Sequence, residues 1–174
     1  FDQDGNMGGG GSKYQTPVFI SLSRLLVKDE IKKGSFSITM GRHNTYTTPF
    51  ATTITLTDSD AERRHLINSP AGEYGLLYTS SVSDGSTEPL SRYGDPRGLI
   101  FYQAGIVVIP STSAVAGGVA STAEWINETA KPHRDDIMKT GSIDQFVDGF
   151  IHRIQNISFN NTTELNSTIY FCRA

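Results

Sequence analysis

Four histidines, one cysteine and eighteen acidic residues are the side chains with which this chain could do chemistry. No two of His43, His65, His133 and His152 fall at metal-ligand spacing, and His152, between Ile151 and Arg153, reads as the flank of a helix. Cys172 sits in an apolar run, the usual setting of a small buried hydrophobe, whereas a nucleophilic thiolate needs a histidine beside it. One cysteine builds neither a disulfide framework nor a thiolate metal cluster. Glu73, Asp84, Glu88 and Asp95 line loops around the expected core strands. A pair of them would suit glycosidase chemistry, but the sequence sets no separation between them.

Several motif look-alikes lack the residue that does the work. Gly5 to Ser12 is glycine-rich, yet Ser12 separates Gly11 from Lys13, so the Gly-Lys-Ser/Thr ending of a phosphate loop is missing. Asp2-Gln3-Asp4-Gly5-Asn6 opens like a calcium loop, but Lys13 stands where the bidentate Glu belongs. His133-Arg134-Asp135 spells the start of a kinase catalytic loop, with Thr140 in place of the metal-binding Asn. Glycosylation sequons such as Asn127-Glu128-Thr129 and Asn156-Ile157-Ser158 are what an Asn/Ser/Thr-rich composition produces by accident. The chain is therefore read as a non-enzyme, with no catalytic, cofactor-binding or metal residue and no cofactor.

The bulk properties narrow the partners. The formal charge of -3 is small and the basic residues are scattered, so no stripe forms for nucleic acid. No apolar run is long enough to span a membrane. With 174 residues the chain suits one domain plus an arm. It opens on Phe1 and closes on the apolar run Thr168-Ile169-Tyr170-Phe171-Cys172-Arg173-Ala174, from which the expectation is an excerpt of a longer chain.

The elements that would position any site follow from periodicity. Residues 1–16, centred on Gly8-Gly9-Gly10-Gly11-Ser12, read as a flexible arm. Val18 to Leu22 reads as a strand, and Ser23 as the cap of a short helix carrying Leu25, Leu26 and Ile31, with Gly34 at its C-terminal end. Ser35 to Met40 alternates, with Phe36, Ile38 and Met40 on one face; Thr52 to Thr57 repeats the pattern and ends at the Asp58-Ser59-Asp60 turn. Gly75 to Ser80 is a further strand, followed by a long polar loop. Leu99 to Tyr102 and Ile106 to Ile109 flank Gln103-Ala104-Gly105 as paired strands, expected at the centre of the sheet. Residues 123–129 read as a short helix. After the cap residue Ser142, Ile143, Phe146, Val147, Phe150, Ile151, Ile154 and Ile157 recur at three and four residues, which predicts about four turns of helix laid on the sheet. The fold class is α+β: a mainly antiparallel sheet packed by one long amphipathic helix and short helices, in a single module over 17–174.

Three segments carry a resemblance. Ser23 to Met40, Tyr74 to Tyr78 and Gly98 to Ile109, in that order, resemble a module of large virion structural proteins from cyanophages and other marine myoviruses with T-even-like contractile tails. The helix, the Asn-rich turn and the closing run to Ala174 are also similar to that module. The resemblance implies a tail or baseplate assembly component in the virion, assembled in the host cytoplasm. Its partners would be other virion proteins and copies of itself in a symmetric assembly, with no nucleic acid and no membrane. The alternative expectation is a receptor- or glycan-binding module of a tail fibre, for which Tyr46, Tyr93 and Trp125 are the candidate aromatics; a neck or capsid position is a further one.

Overall fold

The computed structural model describes residues 17–43, 45–64, 69, 72–82, 96–110 and 140–163. In chain order the elements are β1 (Pro17–Ser21), α1 (Arg24–Val27), β2 (Glu30–Ile31), β3 (Ser37–Gly41) and β4 (Thr53–Thr57), with a 3-10 turn at Pro49–Ala51 before β4. Then come α2 (Ala61–Arg64), β5 (Tyr74–Val82), β6 (Gly98–Phe101), β7 (Ile106–Pro110), α3 (Ile143–His152), β8 (Ile154–Ser158) and β9 (Asn161–Thr162). Seven strands form one antiparallel sheet in the order β1-β7-β6-β5-β4-β3-β8, and β2 pairs with β9. Among the described residues the protein is thus a mainly antiparallel sheet with few helices.

Alternation along each strand assigns the faces. Ile38 and Met40 of β3, Ile54 and Leu56 of β4, Leu77 of β5, Ile100 of β6, and Val107 and Ile109 of β7 share one buried core. Burying each such side chain stabilises the fold by about 1.5–3 kcal/mol. Val18 and Ile20 at one edge of the sheet and Ile154 and Ile157 at the other pack against that same core, as do Phe146 and Phe150 of α3. On the reverse face Tyr74, Leu99, Phe101 and Val108 form a second cluster, so β5 to β7 are buried on both sides. Beyond β4 the reverse face turns polar, and Thr39 bonds Thr55 across the strands at 3.0 Å.

One end of the sheet, where β4 runs out at Asp58, is roofed by the β2–β9 pair. Ile31 N–H donates to Tyr102 O at 3.1 Å and Lys32 N–H to Asn160 O at 2.8 Å. Asn161 Nδ2 reaches Leu26 O at 2.9 Å, which fastens α1 to the same roof. The β6–β7 connection turns tightly through Gly105, at φ +65°, where a Cβ would meet the Val27 side chain at 2.9 Å.

Several expectations are corrected. The helix after Ser142 stops at His152, ten residues rather than four turns, and Ile154 and Ile157 lie on β8. Their spacing of three fits a strand because the register between β8 and β3 shifts at Thr39/Met40. Gln155 becomes the extra residue of a bulge, so Ile154 still faces Met40 and Ile157 faces Ile38. Of the stripe residues that stay on the helix, Phe146 and Phe150 pack on the core, whereas Ile143, Val147 and Ile151 stand exposed. In α1 the buried residue is Val27, with Leu25 and Leu26 outside, and Ile31 belongs to β2. Gly34 lies in the turn before β3, since α1 already ends at Val27, with Lys28 as its C-cap. The strand order puts β5, not the β6–β7 pair, at the centre of the sheet. The expected arm at 1–16, the helix at 123–129 and the strand at 168–174 lie outside the described residues.

Candidate functional site

Polar clusters close the two ends of the sheet. At the first, Asp58 ends the Thr-Ile-Thr-Leu-Thr alternation of β4 with its side chain fully buried. Its Oδ1 accepts from Phe36 N at 2.8 Å, and its Oδ2 accepts from Gly34 N at 2.9 Å and from Tyr102 Oη at 3.0 Å. Its backbone carbonyl accepts from Ala61 N at 2.8 Å, opening α2. One carboxyl therefore joins the β2–β3 turn, the β4–α2 turn and the end of β6. Burial pushes Asp58 above its ordinary 3.8, against the pull of these donors. Burial, and then the charge of Asp58, raise the Tyr102 phenol beyond its ordinary 10.0. A general acid or base must exchange its proton with a substrate. Asp58 is closed to solvent and its oxygens are engaged by the fold, so this cluster is a fastener.

Lys33 extends it outward. Its Nζ lies 2.5 Å from Glu73 Oε2, 3.6 Å from Glu30 Oε1 and 5.5 Å above the centroid of the Tyr102 ring. Partial burial lowers the Lys33 pKa, but the two carboxylates outweigh it and leave it raised above 10.5. Glu73 is thus held by a cation. The other loop acids weighed with it, Asp84, Glu88 and Asp95, lie outside the described residues.

At the opposite end, Arg153 links α3 to β8. Its guanidinium Nη1 donates to His43 O at 2.8 Å and reaches Gly41 O at 3.5 Å, while its backbone carbonyl accepts from Gly41 N at 2.8 Å. Burial lowers its pKa below the ordinary guanidinium range. Next to it, His152 stacks on Tyr46 with centroids 4.2 Å apart and planes at 17°, and its Nε2 donates to Tyr46 O at 3.0 Å. His43 Nδ1 accepts from Thr45 N at 3.4 Å and lies 3.2 Å from Thr48 Oγ1. The flank position read for His152 agrees with its exposure and its stack. Tyr46 presents one ring face to that histidine; Tyr93 and Trp125, weighed with it as glycan-binding aromatics, lie outside the described residues, as do His65, His133 and Cys172. Among the described residues, no group of three or more His, Cys, Asp or Glu side chains is placed to hold a metal. No described helix is long and apolar enough to cross a membrane.

What remains is surface. Leu25 is 89% exposed, Leu26 61%, Ile143 73%, Ile151 59% and Val147 42%, values that put large aliphatic side chains in water. On α3, Ile143, Val147 and Ile151 are four residues apart and form one strip, with exposed Asp144 and Asp148 along its side. Sequence reasoning assigned that strip to the core and missed the bond between Asp58 and Tyr102. The residue types gave only a partial signal: Asp58 and Tyr102 each follow directly on a strand with buried residues, and a buried polar group needs a partner, but nothing in the sequence pairs the two. Comparison with family models, with curated proteins and with solved structures found no match.

Proposed function

We propose that this chain is a structural module of a phage virion, a tail or baseplate component that works by assembly and without catalysis. The observation that carries the reading is the exposure of the Ile143, Val147 and Ile151 strip on a helix whose opposite side is packed on the core. Contiguous apolar surface of this kind marks a place where another protein docks. Two further facts support it. The polar clusters at both ends of the sheet are engaged in holding turns together. The segments that resemble large virion structural proteins fall on α1, β2 and β3, on β5 and on β6–β7, elements that build the framework of the fold.

The test is the location of the chain in purified particles, by reconstruction and by mass spectrometry of the tail fraction. Density for this fold in a tail or baseplate ring is the expected result. Turnover of peptidoglycan or capsular polysaccharide by the purified chain would overturn it. Saturable binding of one glycan, lost in Tyr46→Ala, would replace it with the fibre reading.

A further inference from the structure

Among the described residues, the exposed apolar patches on α1 and α3 differ in charge. The α3 strip of Ile143, Val147 and Ile151 advances about 6 Å per step along the helix, and Asp144 and Asp148 run beside it with no basic residue between Ile143 and Ile151. The α1 patch, Leu25 and Leu26, is bracketed by Arg24 and Lys28, with exposed Lys32 beyond; exposed Asp29 and half-buried Glu30 stand between the two lysines, and Glu30 lies 3.6 Å from Lys33. The Arg24 guanidinium is fixed against Gln103 O at 2.7 Å, so that charge is held in place on the surface. One patch is apolar with a negative border, and the other is apolar with a border where three basic residues outnumber two acidic ones. They are complementary, and they sit on different elements.

We propose that α1 of one copy docks on the α3 strip of the next. Leu25 and Leu26 enter between Ile143, Val147 and Ile151, and Lys28 and Lys32 face Asp144 and Asp148. The charges decide against the simpler pairing of α3 with α3. An antiparallel two-fold pair centred on Val147 would bring both copies' Asp144 and Asp148 to the same side of the contact, four carboxylates along one rim. Like charges so placed repel. Because the α1 and α3 surfaces are not the same patch, the contact is head-to-tail, and repetition gives a closed ring or a filament. The inference rests on the assembly reading and adds its contact surfaces.

The test is sedimentation velocity of the 174-residue chain over rising concentration, at low and high salt. Self-association that weakens with salt is expected. Leu25→Ser with Leu26→Ser, and separately Val147→Ser with Ile151→Ser, should each weaken it about tenfold or more. These side chains are exposed, so circular dichroism should show both variants folded. Mixed in equal amounts, the two variants should form a dimer that does not grow, because one keeps an intact strip and the other an intact α1. Asp144→Lys with Asp148→Lys should abolish association, and adding Lys28→Glu and Lys32→Glu should restore it. A wild-type chain that stays monomeric throughout overturns the inference. So does association without complementation in the mixture, which would mean another contact. Either failure leaves the assembly reading standing if the chain is found in tail particles, whereas self-association of a chain absent from particles would sink that reading alone.

Discussion

The hydroxyl of Tyr102 donates to Oδ2 of Asp58 at 3.0 Å, joining the end of β6 to the end of β4 across 44 residues of sequence. The same carboxyl receives the backbone N–H groups of Gly34 and Phe36, so the turn that starts β3 hangs on it as well. A buried carboxyl with three donors trades a desolvation cost for three directed bonds. The stability of this end of the sheet should depend on it more than on any single apolar residue nearby.

Asp58→Ala leaves the buried Phe36 N–H, the buried Tyr102 phenol and the part-buried Gly34 N–H without their acceptor. Each orphaned donor costs about 1–3 kcal/mol, so a loss of roughly 3–5 kcal/mol is expected in urea unfolding. Asp58→Asn keeps one acceptor oxygen and should lose less. The pH sign is set by burial, which raises the folded pKa above 3.8. The folded state then holds the proton more tightly than the unfolded one. Stability is fully present below about pH 3.9 and is lost as pH rises through the folded value; Asp58→Asn should remove that slope.

A Cβ at Gly75 would run into the Tyr102 hydroxyl and meet its Cζ at 2.9 Å. Gly75→Ala should therefore push the phenol off Asp58 and destabilise the fold by roughly 2–4 kcal/mol. Tyr102→Phe alone should cost about 1–2 kcal/mol. The double variant should lose less than the sum, because removing the oxygen relieves the closest part of the clash. Additive losses in a thermal or denaturant series would refute the coupling.

Lys33 contributes through Glu73 and Glu30 at a partly exposed site, a setting worth about 0.2–1 kcal/mol. Its pKa is raised above 10.5 in the fold, after the opposing effect of burial. The contribution is fully present below the unfolded value of about 10.4 and is lost as pH rises through the folded one. Lys33→Met should match the wild type more closely at high pH, and high salt should narrow the difference at neutral pH. A gap that is the same under all these conditions would show that packing on Tyr102 matters more than charge.

Ser142 and Gln145 form a reciprocal cap: Gln145 N–H donates to Ser142 Oγ at 3.2 Å, and Ser142 N–H donates to Gln145 Oε1 at 3.1 Å. Ser142→Ala should destabilise the protein by about 1 kcal/mol. Ser142→Asp should restore most of that, since an acid at a helix start also meets the helix dipole favourably. Hydrogen exchange of the first turn of α3 would report both effects.

Much of the sheet was legible because its cause is local. Ser37 to Met40 and Thr53 to Thr57 alternate residue by residue, and strands with one buried face follow from that period. The turn at Gln103-Ala104-Gly105 and the cap at Ser142 were likewise readable from the residue types that favour them. The polar fasteners were harder. Nothing local to Asp58 names Tyr102 as its partner, or tells Arg153 that its guanidinium will close over the carbonyls of Gly41 and His43.

The helix that opened as one long period shows where sequence stops. By itself the sequence determined an apolar repeat from Ile143 to Ile157 and a helix start at Ser142. Tertiary structure decided that the repeat divides at Arg153. Ile154 to Ser158 contains weak helix formers, and β3 offered backbone partners that a helix could not use. The bulge at Gln155 then let residues three apart share a strand face. Tertiary structure also decided which part of the stripe is core: Phe146 and Phe150 filled the space above the sheet, and Ile143, Val147 and Ile151 were left facing outward. Periodicity records which residues are apolar, but only the packing of the helix on the sheet decides which of them are covered.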